Sequence, residues 1–217
     1  MLTLTRKLGQ RIHVGDDVVV EVLSISGGIV KLGVRAPRRV AVHRGELLDG
    51  ARAENRAAPR AVETSEESRI RDASRVLRFD RGLYGFEHEK EWVLCELAES
   101  LPVLAGHDAR VLVARNDPSL RLVVLDLELL LPDYPFDRAD AAANHEDPRF
   151  ADEPLAHAVV VRVNGDGDLA RVNLAAPLVI GVRSLRGRQV LLDGLPLDAP
   201  FGHDERAATE LVDEAHP

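Results

Sequence analysis

Over the first sixty positions the apolar residues follow two different periods. From Leu2 to His43 they come in short runs cut by turn residues. Leu2–Lys7 closes at Gly9-Gln10, Arg11–Val14 at Gly15-Asp16-Asp17, and Val18–Ile25 at Ser26-Gly27-Gly28. In Ile29–Val34, Val30, Leu32 and Val34 share one face while Lys31 takes the other, as in a half-buried strand. The Gly pair between two apolar runs marks a hairpin. Ala36-Pro37 interrupts the pattern, and Arg39–His43 reads as a fifth strand. From Arg44 to Asn55 the spacing turns helical, with Leu47, Leu48 and Ala51 on one side. Gly50 costs that helix about 1 kcal/mol relative to Ala. Five short strands and one helix enclose a very small core, so such a unit gains from a second chain that pairs with its open strand edges.

Residues 53–75 lose the large apolar positions, and their first half reads as a linker; Thr64 followed by Glu67 resembles a capping box that would start a short helix. Strand patterns return at Val76. Trp92–Leu97, Arg110–Ala114, Leu120–Leu131, Ala156–Val163, Leu169–Ala175, Leu178–Val182 and Gln189–Leu192 are the candidates, with Asp137–His145 the one helix. The tail after Phe201 is polar and reads as frayed. The second half is therefore mainly β, most simply a small barrel or sandwich.

Composition changes this picture in two ways. Aromatics are only 4% of the 217 residues, so the core is aliphatic. The formal charge of -8 argues against a general nucleic-acid binder, but it hides a split. Residues 1–60 carry eleven Lys and Arg against six Asp and Glu, whereas residues 61–217 carry seventeen against thirty. A basic head on an acidic body indicates two modules with different partners. The single Cys95 leaves no disulfide framework and fits a reducing cytoplasm, where it reads as an inert core thiol. No apolar run approaches membrane-spanning length, and no apolar signal region follows the start.

Catalytic chemistry finds no support in the sequence. The eight His residues are scattered without metal-ligand spacing, and neither a phosphate loop nor GxSxG is present. Asn164-Gly165-Asp166-Gly167-Asp168 opens like a calcium loop. Leu169 and Ala175 then stand where such a loop requires Gly and Glu, so it reads as a hairpin turn. An unrecognised enzyme is accordingly a remote reading, and no cofactor or metal is implied. The basic residues around Arg6, Lys7, Arg38, Arg39 and Arg44 could form a merely solvated face.

Read together, residues 1–55 resemble the carbon storage regulator family, small bacterial proteins that bind messenger RNA. The resemblance runs through Met1-Leu2-Thr3-Leu4-Thr5-Arg6-Lys7, Gly15-Asp16-Asp17, Gly33-Val34-Arg35-Ala36-Pro37 and Val40-Ala41-Val42-His43-Arg44, then Glu46 and Ala53-Glu54-Asn55. It implies a homodimer with interleaved strands, in which the first strand of one subunit lies beside the fifth of the other. It also implies recognition of GGA elements in hairpin loops. The implied RNA contacts are Leu4, Thr5, Arg6 and Lys7 from one chain with Val40, Val42, His43 and Arg44 from the other. Cationic groups there can meet phosphates and guanine acceptors, and apolar side chains can hold splayed bases. Gly45 replaces a commonly acidic residue and Arg35 a common Asn or Asp, so both departures make the segment more positive.

Residues from about 76 to 200 resemble the flagellar assembly factor family. The signature pieces, in order, are Phe79-Asp80-Arg81-Gly82-Leu83-Tyr84-Gly85-Phe86, Asn116-Asp117-Pro118, Leu131-Pro132-Asp133-Tyr134-Pro135-Phe136-Asp137, Val172–Ile180 and Gly187–Asp193. The resemblance implies a β-barrel-like fold that binds flagellin and antagonises the carbon storage regulator. Antagonist contact is implied on the regulator's C-terminal helix, here Leu47, Leu48, Ala51 and Asn55. The Gly82–Gly85 loop and the Asn173–Pro177 turn read as structural.

The expected organisation is a strand-swapped, five-stranded dimer module with a C-terminal helix over 1–55 and a linker over 56–75. A β-barrel-like domain with one short helix follows over 76–203, then a tail over 204–217. The expected function is a non-enzymatic cytoplasmic regulator that binds mRNA hairpins and is fused to its own flagellin-binding antagonist, so that RNA binding is tuned or autoinhibited. Its partners would be mRNA, flagellin and a second copy of itself, with no membrane and no DNA. The alternative is a flagellin-binding assembly factor whose N-terminal part serves mainly for dimerisation.

Overall fold

The computed structural model of the chain describes residues 1–59, 62, 76–98 and 101–201. The expected capping box at Thr64 and Glu67 and the tail after Phe201 lie outside these residues. The chain divides into two compact units, Met1–His43 and Arg44–Pro217. Among the described residues, no helix is long and apolar enough to cross a membrane.

The first unit is a meander of β1 (Arg11–Val14), β2 (Val18–Ser26) and β3 (Ile29–Arg35), all antiparallel. Gly27 and Gly28 both take positive φ and make the tight turn between β2 and β3. The expected first and fifth strands are not strands in the single chain. Residues 1–7 and 39–43 carry no sheet pairing among the described residues, and the three-stranded sheet ends at β1 and β3. Val22 is the one apolar residue of this unit that is buried, whereas Leu23, Ile25, Ile29, Val30, Leu32 and Val34 stand exposed.

The second unit opens with helix α1 (Gly45–Ala57), which packs within this unit. Seven strands then close a ring: β4 (Val76–Phe79), β5 (Glu91–Glu96), β6 (Ala109–Ala114), β7 (Arg121–Asp126), β8 (Leu155–Val163), β10 (Leu178–Gly181) and β11 (Arg186–Gln189). Closure comes from β10, which pairs with both β8 and β11; the β11–β4 pair is parallel and the others antiparallel. The short β9 (Ala170–Val172) and β12 (Ala199–Phe201) extend the sheet from β8. The period-two pattern separates the faces. Trp92, Leu112, Leu122, Val160 and Leu178 join one apolar cluster, and Val93, Val111, Val123, Val159 and Val179 the other. Ala139 and Ala143 of helix α3 (Phe136–Glu146) cover the second face, with Tyr134 and Phe150.

Two expectations about this unit need correction. The apolar run to Leu131 is not all strand: it breaks at Asp126, whose carboxylate accepts from Glu128 N at 2.9 Å and Leu129 N at 3.1 Å. That cap starts the one-turn helix α2 (Leu127–Leu130), a second short α-helix beside α3 among the described residues. The expected strand at Gln189–Leu192 lies instead at Arg186–Gln189, a polar stretch held by pairing to β4 and β10. Gly187 is required there, since a Cβ would run into the Phe79 ring. Asn164–Asp168 forms the hairpin turn between β8 and β9, with Asn164 Oδ1 accepting from the backbone N–H of Gly167, Asp168 and Leu169. Cys95 lies buried among the strands.

Tyr134 Oη donates to Leu174 O at 2.6 Å in the buried layer. Tyr134→Phe leaves that carbonyl without its donor and is expected to cost about 1–2 kcal/mol in urea unfolding. The Arg149 side chain, bonding to Asp147, holds that carboxyl below the usual carboxylate range, and Ser184 does the same for Glu153. A depressed carboxyl contributes stability above its unfolded pKa and loses it as pH falls. Stability measured by urea titration should therefore decline as the pH falls below about 4, and Asp147→Asn should flatten that decline.

Candidate functional site

The implied RNA contacts fall on both sides of the division between units. Leu4, Thr5, Arg6 and Lys7 lie outside the strands and are exposed. Arg6 Nη1 donates to Thr5 O at 2.8 Å, and Lys7 N donates to Gln10 Oε1 at 2.8 Å, which shapes the turn into β1. Val40 N donates to Pro37 O at 2.8 Å, and Val40 and Val42 keep exposed side chains, with His43 half-buried. Two short segments thus present apolar and cationic groups on backbone outside the strands.

Arg44 belongs to the second unit. It precedes α1 in extended conformation, its carbonyl accepts from Leu48 N at 3.0 Å, and its guanidinium stands 3.3 Å from Asp193 Oδ2. Both partners of this ion pair are exposed, so it contributes about 0–1 kcal/mol.

The remaining implied residues lie on α1, whose seat is built mainly by polar contacts. Ala51 and Asn55, one helical turn apart, are fully buried, while Leu47 and Leu48 are half-buried. Asn55 Nδ2 donates to Tyr84 O and to Gln189 Oε1, both at 2.8 Å. The same Gln189 oxygen accepts from Tyr84 N at 3.0 Å, and Gln189 Nε2 donates to Ala176 O at 2.9 Å. Ion pairs border the helix: Arg52 to Glu87 at 2.7 Å, and Glu54 to Arg162 at 3.1 Å. Burial works to raise the Glu87 carboxyl, but the Arg52 bond and backbone N–H groups outweigh it and hold the carboxyl low. Burial also pushes the Tyr84 hydroxyl up.

Two glycines set how closely the surfaces approach. Gly85 has φ +86°, and a Cβ there would stand 2.9 Å from Arg52 O. A Cβ at Gly50 has Leu197 directly against it. The helix-weakening glycine is thus the one that admits the barrel. The receiving residues Tyr84, Gly85, Glu87, Arg162, Gln189 and Leu197 were not legible as a site. Tyr84, Gly85 and Gln189 sit in the resemblance pieces, but nothing in their spacing relates them to position 55.

A second concavity of about 360 Å³ opens between Leu94, Leu112, Val124, Ala158 and Ile180, beside Arg110 and His157. His157 is buried, with ring nitrogens 2.9 Å from Glu128 and 2.7 Å from Asp140, and so ties β8 to α2 and α3. Among the described residues, no group of three His, Cys, Asp or Glu could hold a metal ion.

Comparison with known proteins divides the chain in the same order. A family model described as the global regulator protein family, CsrA, matches residues 1–53, and a model of FliW protein matches residues 62–201. The translational regulator CsrA of Desulfitobacterium hafniense strain Y51 is 42% identical over 72 residues, 33% of this chain and 94% of that one. The Thermotoga petrophila translational regulator CsrA is 41% identical over 85 residues, 39% of this chain and again 94% of the relative. A crystal structure of the flagellar assembly factor FliW aligns with 25% identity and a TM-score of 0.45, covering 60% of this chain and 86% of that chain. The chain therefore belongs to the FliW protein family through its larger part and to the CsrA family through its first 53 residues, joined in one polypeptide.

Proposed function

We propose that this chain is a homodimeric, cytoplasmic, post-transcriptional regulator that binds GGA-containing mRNA hairpins and is tuned by its own fused antagonist. The observation that carries the proposal is the seating of α1. The helix that continues the regulator segment is buried at Ala51 and Asn55 against the barrel. The RNA site proposed is Leu4, Thr5, Arg6 and Lys7 of one chain with Val40, Val42, His43 and Arg44 of the other. Dimerisation is supported by the open sheet edges and the exposed Leu23, Ile25, Val30 and Leu32. Catalysis forms no part of this reading.

Tuning has an electrostatic component. Asp193 stands on Arg44, where a phosphate would stand in an RNA complex, and the second unit is strongly acidic. A carboxylate there competes for the cation and opposes the approach of RNA. Flagellin, the partner this reading gives to the FliW-family part, would shift that competition.

The test is titration of a GGA hairpin with the intact chain. Arg44→Ala is expected to weaken binding about tenfold. Asp193→Asn should strengthen it up to about fivefold at low salt, an effect that vanishes at high salt. Added flagellin should change the affinity. An intact chain that binds flagellin but leaves the hairpin free, with no response to Arg44→Ala, would replace this reading with that of an assembly factor dimerised by its N-terminal part.

A further inference from the structure

The seat of α1 is filled from within the chain. The buried amides are matched: Asn55 gives its nitrogen to Tyr84 O and Gln189 Oε1, and Gln189 gives its own nitrogen to Ala176 O. Displacing α1 would leave these buried groups without partners, a cost that opposes its departure. Space is equally committed, with Gly85 against Arg52 O and Gly50 against Leu197. Chain connectivity favours the chain's own helix. α1 ends at Ala57, Ala58 is already buried in one barrel cluster, and Val62 is buried in the other. The Val62 carbonyl is held by Arg121 Nη1 at 2.6 Å. Four residues therefore separate the end of the helix from a fixed point on the body.

We infer that the helix-binding surface of the second unit is held by the chain's own α1 and is closed to any separate regulator, so that the fused antagonist acts on its own chain only. The inference rests on the reading of the second unit as an antagonist. A short connection gives the tethered helix an effective concentration on the order of millimolar. A free regulator at micromolar concentration competes against roughly a thousandfold excess.

The probe is a fluorescent synthetic peptide of residues 44–58, added to the intact chain and to an Ala51→Arg variant. Position 51 is fully buried, so an arginine there expels α1 while leaving every seat residue native. The intact chain should leave the peptide free, and Ala51→Arg should bind it at least a hundredfold more tightly. Equal uptake by both overturns exclusivity and leaves the antagonist reading standing. No uptake by Ala51→Arg overturns the seat as a helix-recognition site, whatever the RNA titration shows. A second measurement does not require the helix to leave: Gly50→Cys with Leu197→Cys places two thiols where the two residues touch. Oxidation should give a bridged species that runs as a single chain on a non-reducing gel, and a covalent dimer would overturn occupancy by the chain's own helix.

Discussion

The buried carboxamide of Asn55 is the constraint around which the chain is organised. An amide at zero exposure needs partners for its N–H groups, and leaving them unmet costs on the order of 1–3 kcal/mol. The partners are Gln189 and the Tyr84 carbonyl, held by β11 and by the loop that begins at Asp80. The helix therefore goes to the barrel, although its residues continue the strand-forming segment before it. What remains of the first unit has three strands, one buried apolar side chain and no helix of its own. A unit that small does not close a core in one chain, and its exposed Leu, Ile and Val residues are the form that shortage takes.

Electrostatics follows the same division. A charge of -8 describes neither unit, since basic residues concentrate ahead of α1 and acidic ones behind it. The boundary is a single residue. Arg44 is the last cation of the implied RNA set and the first residue of the acidic unit, and it is paired with Asp193. Arg52 to Glu87 and Glu54 to Arg162 continue the exchange of charge along the helix. Such partly exposed pairs add little to stability and mainly set register and orientation.

Much of the fold could be read from periodicity. Ile29–Val34 alternates, Trp92–Leu97 and Ala156–Val163 are apolar runs of strand composition, and all three form strands within a residue or two of the expected bounds. The misses came where a tertiary partner overrode local pattern. Arg186–Gln189 looks too polar for a central strand, yet two neighbours hold it, and Arg188 is buried there beside Glu146. Leu127–Leu130 has strand composition, but the Asp126 cap turns it into a helix. Leu2–Lys7 and Arg39–His43 have strand composition and form no strand among the described residues.

Of the site, one side was visible in the sequence and the other was not. Leu47, Leu48, Ala51 and Asn55 share a helical face, and 3.6-residue spacing is a local property that any reader of the chain can count. Tyr84, Gly85, Gln189 and Leu197 come from loops and strands up to 142 positions beyond Asn55, and no local period links them to it. By itself, the order of residues determined that a basic, strand-rich head precedes an acidic β-body, and that Arg44–Asn55 is helical. Only the closed ring of seven strands decided which body that helix joins, because closure alone brings Gln189 of β11, the Gly85 loop and Leu197 to one surface.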